Sequence, residues 1–298
     1  MRTWVPYING LHVVLIFLEL RWCYTLDNKV FDGVRKSRGP SASTLGKTCN
    51  VLMGCKQEND DSKRVVGGSA LLQGEWPWLV SMHFMYWENF TIHFCGATLI
   101  HPQWLLTAAH CFMRDRSGKG RQSDKNNWHV MLGEHAQGEE EGMEQMFTLD
   151  KIVTHPEFLH DQKKSILYDI ALVKLSRPAL MSEYVNTILE GGVGAEVPHH
   201  ASLQIVSYAV CADRYDLLPE EDRFENFVFD DSVICALAED RGSCHGDSGG
   251  PLACFHDGHW TQVGVVSTGF RCTHPLYPGI YTRVNRFFDW IETVIESN

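Results

Sequence analysis

The chain has 298 residues, 44% of them hydrophobic and 21% charged, enough apolar material for one large domain or two smaller ones. Glycine and proline number 25 and 11, ordinary shares that exclude collagen-like and low-complexity architectures. A formal net charge of −11, without a long basic run, argues against a nucleic-acid binder.

Charge divides the chain. Residues 1–64 carry 10 Lys/Arg against 6 Asp/Glu, and the remainder carries 16 against 31. The break suggests a leader joined to a body. Arg2 precedes an apolar run from Leu11 to Leu18, broken only by His12. Such a run fits a secretory signal and is too short to span a bilayer. We expect residues 1–24 to be a signal peptide, cleaved near Cys23 to Thr25. No other stretch approaches a membrane span. Residues 25–64 read as a propeptide or linker, rich in Ser, Gly, Pro, Lys and Asp, and are expected to be mobile. This segment ends in Asp60-Asp61-Ser62-Lys63-Arg64, and Val65-Val66-Gly67-Gly68 follows.

Ten cysteines behind a leader point to an oxidising compartment and a secreted, extracellular protein. None lies in a CxxC pair, so zinc ribbons and thioredoxin-type motifs have no support. Asn89-Phe90-Thr91 is a glycosylation sequon with Asn89 as acceptor. Beyond residue 65, short apolar or alternating runs recur between turn residues. They are Trp78 to Phe84, Cys95 to Ile100, Trp128 to Leu132, Ile170 to Leu175, Leu203 to Val210 and Gln262 to Ser267. Runs of this length predict an all-β sandwich or barrel. At the end, Asn285 can cap a helix whose apolar face is Phe287, Ile291, Val294 and Ile295.

Three motifs carry chemistry. Leu106-Thr107-Ala108-Ala109-His110-Cys111 holds a histidine. Tyr168-Asp169-Ile170-Ala171-Leu172-Val173-Lys174-Leu175 opens an apolar strand with an aspartate. Gly246-Asp247-Ser248-Gly249-Gly250-Pro251 sets a serine among glycines. A lone histidine beside a cysteine is usually structural, and an aspartate heading a strand is usually a cap. In the order His, Asp, Ser, chance explains them poorly.

With these motifs, residues 65–298 resemble the chymotrypsin/trypsin family of secreted serine proteases. The resemblance implies an all-β fold: two six-stranded antiparallel β-barrels with a C-terminal α-helix and the active site between the barrels. It implies Ser248 as nucleophile, His110 as the base that takes its proton, and Asp169 as the group that orients His110. The N–H groups of Gly246 and Ser248 would form the oxyanion hole, at about 3–4 kcal/mol per donor. Ser267 matches the serine that supports the aspartate. The junction Arg64–Val65 then reads as an activation site, cut by a trypsin-like protease. The freed α-amine of Val65, with a pKa of about 8, would pair with Asp247.

By the same resemblance, Gly242, Ser267, Gly269 and Gly279 belong to the substrate pocket. Gly242 stands where trypsin-like members carry an aspartate, so the pocket is neutral and open and should favour a large apolar residue. Thr268 replaces the tryptophan usually found beside Gly269, which makes one edge less apolar. Leu132 to Gln145 matches the family's calcium loop. Glu134, Glu141 and Glu144 fall on carboxylate ligands, and Ala136 and Glu139 on backbone-carbonyl ligands, a hard-oxygen set suited to Ca²⁺. The implied partners are polypeptide substrates, the activating protease and protein inhibitors.

The chain departs from the family in two places. After Cys111 an extended stretch to Trp128 carries Arg114, Arg116, Lys119, Arg121 and Lys125, either a solvated loop or an exosite for acidic partners. After Ile188 the chain is short: a strand with a cysteine and a Gly-Trp-Gly turn, normal in the family, is missing. The second barrel should therefore be incomplete, with exposed strand edges. The family pattern pairs Cys95 with Cys111, Cys211 with Cys235 and Cys244 with Cys272. It leaves Cys254 an orphan thiol, and Cys49 and Cys55 without their usual partner, to pair with each other or with other chains. Two readings follow: an endopeptidase zymogen, or a catalytically silent homologue or defective isoform acting, if at all, by protein binding.

Overall fold

The computed structural model describes residues 48–51, 72–87, 90–113, 123–136, 140–161, 165–188, 201–219, 230–237, 243, 246–256, 259–270, 274 and 276–298. The expected signal peptide (residues 1–24), Cys55, Arg64, Val65, Asn89, residues 114–122, Glu139, Gly242, Cys244 and Cys272 lie outside them. Backbone contacts divide the chain into two units, one spanning Gly46–Val284 and one containing Asn285–Asn298.

The first barrel of the larger unit closes in the order β2-β3-β4-β9-β6-β5. Its strands are β2 (Leu79–Trp87), β3 (Phe90–His101), β4 (Trp104–Thr107), β5 (Trp128–Leu132), β6 (Gln145–Thr154) and β9 (Ala171–Leu175). A small hairpin, β7 (Leu159–Asp161) with β8 (Ser165–Leu167), lies outside the barrel sheet. The alternation read from the sequence is the reason these strands close. Trp128, Val130 and Leu132 are buried on one face of β5, and Val80, Met82 and Phe84 on one face of β2. Phe84, Phe94 and Phe112 gather around Trp128 with ring centroids 5.1–5.6 Å away. Phe84, Phe112 and Trp128 are buried, and each contributes about 1.5–3 kcal/mol of hydrophobic stabilisation.

The second barrel closes in the order β1-β10-β11-β14-β13-β12. Five strands come from the body: β10 (Ala201–Val206), β11 (Val233–Leu237), β12 (Pro251–His256), β13 (His259–Thr268) and β14 (Gly279–Arg283). The sixth, β1 (Thr48–Val51), comes from the segment before Arg64. It pairs antiparallel with β10 through Cys49↔Leu203 and with β12 through Asn50↔Ala253. This corrects two expectations. The barrel is closed, and residues 48–51 are a strand rather than mobile linker. The physical reason is edge saturation: without β1, both β10 and β12 would present unpaired backbone N–H and C=O groups. Inside the barrel, Leu203, Ile234, Ala236, Leu252, Val266 and Tyr281 form one buried cluster.

Disulfides Cys95–Cys111 and Cys211–Cys235 form as the resemblance implied. Cys254 is also disulfide-bonded, so it is not an orphan thiol. The stretch Leu203 to Val210 is not one strand. It ends at Val206, and helix α1 (Tyr208–Asp216) follows. Ser207 sits in extended geometry and its hydroxyl accepts from the Val210 amide, an N-cap that the apolar pattern hid. In the second unit, helix α2 (Phe288–Glu296) buries Ile291 and Val294. It starts later than expected: a 3-10 turn spans Val284–Phe287, and Phe287 rather than Asn285 holds the N-cap position, with no side-chain cap bond.

The two barrels meet at the turn after Asp247. The Gly96 amide donates to the Ser248 carbonyl at 2.8 Å. Gly249 has φ +83°, and a Cβ there would overlap Thr107 Oγ1 and the Gly96 carbonyl and lie 3.1 Å from Ala108 N. Gly142 has φ +89° but nothing within 4 Å of such a Cβ. Gly142→Ala should therefore cost only backbone strain, about 1–2 kcal/mol. Gly249→Ala adds overpacking of about 1–3 kcal/mol to that strain. Thermal melts of the secreted variants check the order; a Gly249→Ala protein as stable as Gly142→Ala would contradict it.

Candidate active site

His110 lies on a 3-10 turn, Ala109–Phe112, directly after β4, and the Cys95–Cys111 disulfide ties that turn back to β3. Its backbone N–H donates to Asp169 Oδ1 at 2.8 Å, and its Nδ1 stands 2.6 Å from Asp169 Oδ2. Asp169 heads β9 and is fully buried. Its neighbour Tyr168 has φ +54°, a backbone conformation uncommon for a residue with a side chain, and its ring stacks on His155 at 5.5 Å. The second barrel also holds Asp169: Ser267 Oγ of β13 donates to Oδ2 at 2.6 Å, and Thr282 Oγ1 of β14 donates to the Asp169 backbone carbonyl at 2.8 Å.

An ionised carboxylate only accepts, so His110 Nδ1 carries the proton of this bond and Nε2 is the acceptor in the neutral ring. Burial pulls the His110 pKa down, but the charge and hydrogen bond of Asp169 outweigh it and hold the imidazole above the ordinary histidine value. For Asp169, burial pushes upward, and it is overcome by the His110 charge and the bonds from His110 and Ser267. Its carboxyl stays below the usual range.

Ser248 sits in a turn shaped by two left-handed glycines, Gly246 at φ +92° and Gly249 at φ +83°. Gly250 N donates to the Asp247 carbonyl, and Gly249 N to the Val266 carbonyl of β13. The Gly96 amide, one residue after the disulfide-bonded Cys95, holds the Ser248 carbonyl. Asp247, next to Ser248, is fully buried.

Sequence reasoning missed a polar chain behind this turn. The Gly246 carbonyl can only accept, so His93 Nε2–H donates to it, at 2.8 Å. His93 Nδ1 then accepts from Ser81 Oγ at 2.7 Å, and Ser81 Oγ accepts from His83 Nε2 at 2.8 Å. His83 Nε2 also lies 3.4 Å from Glu134 Oε2. Period-two alternation places these residues on β2 and β3 but gives no sign that polar groups would be buried there. Thr282 and Thr107 were missed for the same reason: each looks like an ordinary strand residue.

The pocket residues are partly described. Gly269 and Gly279 face each other: a Cβ at Gly269 would lie 3.7 Å from Gly279 Cα. A Cβ at Gly279 would lie 2.9 Å from the hydroxyl of buried Tyr281, which is itself 3.3 Å from Ser243 Oγ. The basic stretch is committed where it is described, since Lys125 Nζ donates to the Asp150 carbonyl at 2.6 Å.

In the acidic loop, the three carboxylates expected to bind Ca²⁺ are engaged by protein groups. Glu144 accepts from the amides of Glu141 and Gly142 at 2.6 and 2.7 Å. Slight burial works against its charge, but the backbone amides hold its carboxyl below the usual range. Glu141 is engaged by His135 Nδ1 and the Ala136 amide, and Glu134 by His83. Among the described residues, these three carboxylates do not bring three oxygens within 4.8 Å of one another. Cys95, His110 and Cys111 do bring three potential ligand atoms that close, but two of them are the sulfurs of one disulfide. No described helix is long and apolar enough to cross a membrane.

Two comparisons agree with this geometry. The family model described as Trypsin matches residues 65–291. A protein named Tryptase from Mus musculus is 35% identical over 260 residues, which cover 78% of this chain and 89% of that protein. The β-barrel fold with its C-terminal helix, the match over nearly the whole body and the kinship at this identity have one meaning: the chain belongs to the trypsin family of serine proteases.

Proposed function

We propose that the chain is the zymogen of a secreted serine endopeptidase that hydrolyses peptide bonds of polypeptide substrates through Ser248, His110 and Asp169. The observation that carries this reading is the 2.6 Å bond between His110 Nδ1 and the buried Asp169 carboxylate. It leaves Nε2 as the basic nitrogen, the tautomer a general base requires. His110 takes the proton of Ser248 as Oγ attacks the scissile carbonyl, then returns it to the leaving amine. The developing oxyanion is held by the N–H groups of Gly246 and Ser248.

Activation follows cleavage after Arg64 by a trypsin-like protease. The new ammonium of Val65 pairs with the buried Asp247 beside Ser248, as the family resemblance implies. Gly242, Gly269 and Gly279 leave a neutral, open pocket for a large apolar side chain, and protein inhibitors would enter by the same route. The rival reading, a silent homologue, drew on an open second barrel and a free Cys254; the barrel is closed and Cys254 is bonded.

Active-site labelling tests the reading directly. After cleavage at Arg64, a fluorophosphonate should label the chain, and neither the uncleaved chain nor Ser248→Ala should react. A soluble, correctly cleaved chain that stays unlabelled establishes the silent homologue instead. The pH profile tests the pair: the acid limb of kcat/KM should lie above the ordinary histidine value of about 6.5. Asp169→Asn should lower that limb, because burial then acts alone, and reduce kcat about 10⁴-fold. A peptide library should show large apolar residues before the cut bond; a preference for arginine refutes the pocket assignment.

A further inference from the structure

We propose that the segment before Arg64 is a permanent part of the mature protease: strand β1 completes the second barrel and is locked there by a disulfide between Cys49 and Cys254. The part concerning maturation rests on the zymogen reading above; the disulfide does not.

The strand order carries the first step. β1 is the element that joins β10 to β12, pairing with Ala201–Gln204 on one side and with Leu252 and Ala253 on the other. Removing it would reopen the barrel and leave two facing edges bare. The register carries the second. β1 and β12 run antiparallel with Val51 opposite Leu252 and Asn50 opposite Ala253. One step further along the same register, Cys49 falls opposite Cys254. Directly opposed residues on antiparallel strands stand about 4.5–5.5 Å apart at Cα, within the span a disulfide bridges.

Elimination agrees. Cys254 is disulfide-bonded, while Cys95, Cys111, Cys211 and Cys235 are taken up by each other. Among the described residues, Cys49 is the cysteine that remains. The bond forms by thiol–disulfide exchange. The two thiols give up two protons and two electrons to a protein disulfide oxidant, whose own S–S bond breaks as it leaves as a dithiol.

The scissile bond lies well beyond the strand. Arg64 is 15 residues past Cys49, a tether of up to about 50 Å when extended. Cutting it frees Val65 without touching β1. The product is a two-chain protein whose short chain is structural.

Peptide mapping tests the bond. The full chain carrying Ser248→Ala is secreted, alkylated and digested without reductant before mass spectrometry. The expected result is a linked peptide pair containing Cys49 and Cys254. Cys254 linked to Cys55, or to a cysteine of a second copy, overturns the proposal. Because this uses the uncleaved chain, a failure of activation or activity leaves the answer unaffected. The maturation part is read after cleavage at Arg64. The short chain should stay with the body on a denaturing gel without reductant and separate fully with it. Cys49→Ser should release it without reductant. Release of the short chain from the unmodified protein without reductant refutes the tether. If Cys49→Ser is not secreted, the mapping still decides.

Discussion

The buried carboxylate of Asp169 is the constraint on which the site depends. A charge with no solvent around it needs compensation from every side. Two of its bonds come from the turn that carries His110, in the first barrel. A third comes from Ser267 on β13, in the second, where Thr282 on β14 also holds the Asp169 backbone carbonyl. Neither barrel satisfies Asp169 alone. The charge that orients His110 is therefore also a measure of whether the barrels have come together correctly.

The same logic runs through the turn at Ser248. Its glycines are there because the backbone of β3 and the Thr107 hydroxyl leave no room for a side chain at position 249. Its Gly246 carbonyl is held by His93, and His93 is held by Ser81 inside the first barrel. The Ser248 turn belongs to the second barrel by sequence, where it is bonded to β13, and it also takes hydrogen bonds from the first. Preorganisation of this kind is what allows donors to meet developing charge without rearrangement.

Much of this could be read from the residues. The order of His110, Asp169 and Ser248 singled out three residues as candidates, and the alternation in Trp128–Leu132 located a barrel strand directly. The supporting roles of Thr282 and His93 could not be found that way, since their partners lie 113 and 153 residues away rather than in local pattern. The largest divergence was at Thr48–Val51. A four-residue strand in a polar stretch carries almost no periodic signal, and its place is decided by two bare edges far along the chain. Ser207 illustrates a smaller case, in which a single cap residue divides an apolar run into strand and helix.

The placement of β1 also bears on how the protein is made. Thr48 pairs with Gln204, and Asn50 with Ala253, so roughly 150 to 200 residues separate strands that must lie side by side. Non-local pairings of this kind carry a large loop-closure entropy and slow folding. During synthesis the N-terminal strand emerges first and waits for most of the chain before its neighbours exist. The first barrel, from β2 to β9, can form in that interval, while the second stays open at its seam. A chain with such a delay depends on staying unaggregated until its last barrel closes.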